Sequence, residues 1–248
     1  MRYALLFLAL SMQAAEIPVV IELFTSEGCS SCPPADELLS KLEKTQPVPG
    51  ARLIVLSEHV DYWNRLGWRD PFSSEVFTAR QHDYVDSLRQ DGSYTPEAVV
   101  DGRTQFVGSN GRDALAAIKD AMKQPKAQIA LTAAPAGMGI NLTIDVKDIP
   151  GAKDADVVLA ITETGLQSNV RSGENSGRLL KHTGVVRRIS ILGRTQGSTY
   201  STQTSIPLPK EWKRENLRAV VFLQDRRTRH IVGAATTDEM PLQYSQVR

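Results

Sequence analysis

Two cysteines, Cys29 and Cys32, stand three positions apart in the run Gly28-Cys29-Ser30-Ser31-Cys32-Pro33-Pro34, and the sequence contains no others. A disulfide between them would close a very small loop. It would remove little entropy from the unfolded chain, so it would be a poor staple, which shifts weight towards chemistry. Thiol chemistry runs through the thiolate, which forms readily beside a helix N-terminus, where free N–H groups and the helix dipole favour negative charge. In such a pair the first cysteine, Cys29, is the exposed attacking nucleophile, and the second, Cys32, resolves the mixed disulfide. A structural zinc site would need four ligands, and no second pair is present. Neither a cofactor nor a resident metal is expected.

The elements around the pair fit that chemistry. Pro18 to Phe24 is a short apolar run rich in branched residues and reads as a buried strand. Beyond the cysteines, Ala35, Leu38, Leu39 and Leu42 recur at helical spacing, and the helix should end before Pro47. Pro33 and Pro34 suit a first helical turn, where a missing N–H costs nothing. The cysteines therefore sit where a strand ends and a helix begins. Arg52 to Ser57 reads as a second buried strand, and Ser73 or Ser74 as the cap of a helix reaching Leu88. Thr95-Pro96 follows, and then Asp101-Gly102 between two apolar runs, a type I′ hairpin signal. Ser109 or Asn110 can cap another helix carrying Leu115, Ile118 and Met122.

The stretch from Glu58 to Phe72 holds two of the three tryptophans, together with His59 and Asp61. If the first two strands are parallel, their C-terminal ends share an edge, and His59 and Asp61 lie on the same edge as Cys29. Three readings stay open. His59 could tune the thiol or shuttle protons; it could join the two thiolates as a copper ligand; or the stretch could be an aromatic mini-core with its polar residues bound to backbone.

The order of strand, Cys-X-X-Cys helix, strand, helix, Thr-Pro, hairpin and helix resembles the thioredoxin fold. That resemblance implies a cis Pro96 facing the dithiol, with Thr95 and Pro96 as the platform for a substrate peptide while Cys29 attacks. GCSSCPPAD and the stretch HVDYWNRLGWRDPF, with the signal-like start, also resemble a narrower group: exported bacterial thioredoxin-like proteins grouped as a family of unknown function.

After Gln124 the pattern changes. Seven short apolar runs separated by Gly, Pro, Asn and Asp begin near Ala127 and continue to Ala235. The expected architecture is an α/β thioredoxin-like domain followed by an all-β sandwich-like domain. Residues 1–15 read as a signal peptide, 16–124 as the thioredoxin-like domain and 127–248 as the sandwich-like domain. His182 and His230 fall in the second part and receive no role.

The formal net charge is +1, so nothing points to nucleic acid as a partner. A late basic cluster (Lys210, Lys213, Arg214, Arg218, Arg226, Arg227, Arg229) is interrupted by acids and reads as a solvated face. Arg2, the apolar run Tyr3 to Leu10, and Ala14-Ala15 have the plan of a secretory signal, which would place the mature protein in the periplasm or outside the cell. No later apolar run approaches the ~18 residues of a transmembrane helix. The expected function is thiol–disulfide exchange with exported protein thiols or disulfides. The alternatives are copper binding or metal assembly through the same cysteines with His59, or a redox-inert binding module.

Overall fold

The computed structural model describes residues 16–151 and 154–237; the expected signal peptide, residues 1–15, lies outside them. The first part runs β1 (Ile17–Thr25), α1 (Pro33–Thr45), β2 (Ala51–His59), α2 (Glu75–Leu88), β3 (Glu97–Val100), β4 (Thr104–Val107) and α3 (Gly111–Ala121). The second runs β5 (Gln128–Ala136), β6 (Gly139–Lys147), β7 (Ala155–Glu163), β8 (Leu166–Asn169), β9 (Leu179–His182), β10 (Val185–Arg194), β11 (Tyr200–Pro207), β12 (Leu217–Asp225) and β13 (Ile231–Thr236).

Local signals account for most of these elements. Ser74 caps α2 by accepting from the Val76 N–H, and Asn110 caps α3 by accepting from the N–H groups of Arg112 and Asp113. Asp101 and Gly102 both have positive φ, 48° and 63°, as the hairpin between β3 and β4 requires.

The expected pair of domains, thioredoxin-like and then sandwich-like, is not what forms. One large mixed sheet runs β13-β12-β7-β10-β2-β1-β3-β4, so four strands from the second part extend the sheet begun by the first. A smaller sheet, β11-β6-β5, packs against it, and β8 pairs with β9. The proposed boundary at 124–127 falls in the connection between α3 and β5, but the chain beyond it re-enters the sheet. The junction is at β2, which pairs in parallel with β10 through Val185 and Ser57; the Ser57 N–H donates to the Gly184 carbonyl at 2.8 Å.

Side-chain alternation explains why the two parts close on each other. Along β1, Val19, Ile21 and Leu23 face a core built with Ala35, Leu39, Ala117 and Ile118 of the helices. On its other face Val20 shares a core with Ile54, Leu56 and Phe77, and with Val158, Ala160, Val220 and Phe222 of the second part. Along β7, Leu159 and Ile161 turn away from that shared core towards Leu142 and Ile144 of the smaller sheet. Each part alone would leave one apolar face in water.

Buried charge crosses the same boundary. Arg80 on α2 donates to Glu22 of β1 at 2.6 Å and to the Gln224 side chain of β12 at 2.9 Å, and Gln224 donates to the Tyr84 hydroxyl at 2.8 Å. Burial and the neighbouring Glu22 charge push the Glu58 carboxyl well above its ordinary range. The basic cluster is correspondingly less free than its sequence suggested. The Arg214 guanidinium is buried and donates to the carbonyls of Met138 and Leu208, while Arg218 pairs with Glu43 of α1.

Gly184 leaves no room for a side chain at the β2–β10 junction. Its φ is +59°, and a Cβ there would stand 2.7 Å from the Val55 carbonyl oxygen. Gly184→Ala should therefore lower stability by at least about 1–2 kcal/mol from the left-handed backbone alone, before any clash. Urea unfolding measures this, and a loss below about 0.5 kcal/mol would show that the two parts separate freely at this strand.

Candidate functional site

The parallel register of β1 and β2 pairs Thr25 with His59, so both strands deliver their C-terminal ends to one edge. The turn after β1 leads into the Cys29–Cys32 disulfide, which sits on the N-terminus of α1. Cys32 occupies the N-cap position, and its carbonyl accepts from the N–H groups of Ala35 and Asp36. Ser31 Oγ lies 3.3 Å from Cys29 Sγ.

Both cysteines are 0% exposed, so Cys29 is not the open nucleophile expected from the motif. The cover comes from the segment between β8 and β9. There Asn175, itself 1% exposed, donates to the carbonyls of Cys29 at 2.8 Å and Glu27 at 2.9 Å. Arg178 donates to the Asn175 side-chain oxygen, and Glu174 accepts from the Ser30 N–H at 3.0 Å. From the other side Trp63 packs on Gly28, where an added Cβ would meet the Trp63 Cβ at 3.1 Å. Trp63 Nε1 also donates to Thr95 Oγ1 at 2.8 Å. Trp63 thus ties the cysteine loop to Thr95. The Thr95–Pro96 peptide bond is cis, and Pro96 is within contact range of Gly108 beside Ala35 and Leu23.

Beneath the disulfide edge lies a buried polar group drawn from both parts of the chain. His59 Nδ1 pairs with Asp70 Oδ2 at 2.7 Å, and His182 Nε2 pairs with Glu27 Oε1 at 2.9 Å. The two rings meet edge-on with centroids 4.9 Å apart, and Phe72 packs at 5.5 Å from each. Trp68 Nε1 donates to Glu27 Oε2 at 2.8 Å, and the Glu27 N–H donates to Asp70 at 2.8 Å. The 58–72 stretch is thus an aromatic mini-core that also carries the acid partner of His59.

Asp36 completes the group, one helical turn beyond Cys32. Burial pushes its carboxyl up to about 6; the His59 and His182 side chains oppose the rise, as does Thr25 beside it, although no well-formed hydrogen bond joins the two. Burial alone would lower the His59 imidazole, but Asp70, Asp36 and Glu27 outweigh it and the net shift is upward. Burial would raise Asp70, yet His59 and the N–H groups of Glu27 and Phe72 hold it below its usual range.

Of the sequence candidates, Cys29, Cys32, Thr95, Pro96 and His59 belong to this region. Asp61 does not join the histidine pair. Its carboxylate accepts from Thr78 Oγ1 at 2.6 Å and its N–H donates to the same hydroxyl, which ties it to α2. Among the described residues, no three His, Cys, Asp or Glu side chains are grouped so as to hold a metal ion. Sequence reasoning missed Glu27, Asp36, Asp70, Asn175 and His182. A faint signal existed for Asp36: it shares a helix face with Glu43, seven positions on, and the Glu43 carboxylate accepts from Thr183 and Arg218 of the second part.

A family described as "Protein of unknown function (DUF1223)" matches residues 20–224. The chain belongs to this family. Protein AGR_C_4864 from Agrobacterium tumefaciens is 30% identical, with a TM-score of 0.73 over 94% of this chain and 99% of that one. HBP35 of Porphyromonas gingivalis has the same fold at 15% identity, with a TM-score of 0.66 over 95% of this chain and 79% of that one. No curated protein matches. Among the described residues of this DUF1223 protein, no helix is long and apolar enough to cross a membrane.

The raised Asp36 has a consequence for stability. Between the usual carboxyl value of 3.8 and about 6, the folded protein keeps a proton that the unfolded chain has lost. Stability from this group therefore falls as pH rises through that window, by about 3 kcal/mol once above it. Asp36→Asn removes the penalty. The variant should gain about 2–3 kcal/mol at pH 8 relative to its effect at pH 4, measured by urea unfolding at both values. An equal effect at the two pH values would mean that Asp36 ionises freely in the fold.

Proposed function

We propose that this protein exchanges thiols and disulfides with protein substrates through Cys29 and Cys32. The observation that carries the reading is a disulfide that joins residues three apart at the N-terminus of α1, where it restrains little of the chain. An attacking thiolate would open the ring at Cys29, and Cys32 would resolve the mixed disulfide. A helix N-terminus supports the thiolate that each step needs. Thr95 and Pro96, joined to the cysteine loop through Trp63, are the proposed platform for the substrate chain. The signal-like start supports a site of action in the periplasm or outside the cell, with exported proteins as substrates.

Burial of both sulfurs adds a condition to this reading: the 171–178 segment must yield before a protein thiol can attack. Asn175→Ala removes the two hydrogen bonds that hold it over the cysteine loop. Alkylation of the reduced protein should then speed up about tenfold, while wild type reacts slowly. Unchanged alkylation would show that this segment is no barrier.

The function itself is tested by Cys32→Ser, which should accumulate mixed disulfides on Cys29 when incubated with a reduced and re-oxidised periplasmic extract. In the reduced wild-type protein, Cys29 should titrate below the ~8.5 of a free thiol. No trapped species, together with an ordinary Cys29 titration, would leave the disulfide without an exchange role.

A further inference from the structure

We propose that Asp36, flanked by His59 and His182, is the proton store for the Cys29–Cys32 couple. This rests on the exchange reading above and deepens it by naming the residues that handle the protons.

The placement carries the argument. Asp36 is four residues after Cys32 on α1, on the same helix face, and its N–H donates to the Cys32 carbonyl at 3.1 Å. Four buried polar atoms around it have no hydrogen-bond partner: Asp36 Oδ1, Thr25 Oγ1, His59 Nε2 and His182 Nδ1. They come from α1, β1, β2 and β9, and each imidazole is held through its other nitrogen by a carboxylate, Asp70 for His59 and Glu27 for His182. Those are the charged groups that face the site: Asp36 from α1, Glu27 from the turn after β1, His59 from β2, Asp70 from the loop before α2, and His182 from β9. A carboxyl pressed towards neutrality by burial, beside two oriented imidazoles, can give up a proton and still have its charge compensated.

The step balances as follows. An external thiolate attacks Cys29 Sγ and forms a new S–S bond. The Cys29–Cys32 bond breaks, and its electron pair leaves on Cys32 Sγ. A proton passes from the Asp36 carboxyl to that sulfur, so a carboxylate faces His59 and His182 where a neutral acid stood. In the oxidising direction Cys32 returns the proton to Asp36 as its sulfur attacks the mixed disulfide, and the external thiolate departs.

The test follows the rate at which dithiothreitol cleaves the disulfide in the wild-type protein and in Asp36→Asn, from pH 5 to pH 8. The ratio of wild type to variant should be tenfold or more at pH 5 and fall towards one above pH 7, because a general acid contributes only while protonated. A ratio that does not change with pH overturns the proposal. In wild type, the carboxyl of Asp36 followed by carbon-13 NMR should titrate differently in the disulfide and dithiol forms, and the same titration in both also overturns it. His182→Gln should move the Asp36 titration upward, since His182 opposes the rise; no movement removes His182 from the store. A disulfide that dithiothreitol does not cleave at any pH would instead defeat the exchange reading, and this proposal with it.

Discussion

The pairing of β10 with β2 is the constraint on which the rest of this structure depends. It is short, a single register pair with the Ser57–Gly184 hydrogen bond beside it. It nevertheless sets where β9 ends and where the segment before β9 must run. His182 is the last residue of β9, two positions before Gly184, so the pairing delivers it to Glu27. The same placement lays Asn175 on the carbonyls of Glu27 and Cys29. A chain lacking this junction would have the cysteine loop without Asn175 above it and without a second imidazole below it.

The site is held by charge–charge and charge–dipole contacts in a dry environment, where they are stronger than in water and unpaired groups cost more. Glu27 and Asp70 have their oxygens occupied by His182, Trp68, His59 and backbone N–H groups, so their burial is compensated. Asp36 is not compensated in this way, and its carboxyl sits near 6 as a result. Under the proposed exchange, such an acid one helical turn from Cys32 would hold a proton on the helix face where sulfur charge develops. The polar network of Glu22, Glu58, Arg80, Tyr84 and Gln224 differs in position and in satisfaction. It lies where the two parts of the chain meet, and all but the two Glu58 oxygens of its side-chain polar atoms are hydrogen-bonded to one another or to backbone.

A sealed disulfide also changes how exchange must be pictured. In an open site, specificity resides in the surface around the sulfur. Here the cysteine loop is contacted by segment 171–178 and by Trp63, two segments from different parts of the chain. Ser172 and Gly173 touch Gly67 and Trp68, so the covers also meet each other.

The local elements were legible in the sequence. The strand before the cysteines, the helix after them, the Ser74 and Asn110 caps, the Asp101-Gly102 hairpin and seven of the nine later strands are marked by residues close in the chain; β8 and β9, the latter carrying His182, are not. Periodicity and turn chemistry report contacts between such residues directly. Which strand lies beside which was not legible. A strand with two apolar faces states that it is buried and names no neighbour, so β7, β10, β12 and β13 read as a separate sandwich although they complete the sheet of β1 and β2. The dithiol at a strand-to-helix junction was thus determined by the sequence alone. Its burial, the Asn175 contacts on its loop and the placement of His182 beside His59 were decided by the tertiary structure, because pairing across more than a hundred residues depends on which faces can be buried together and leaves no local pattern.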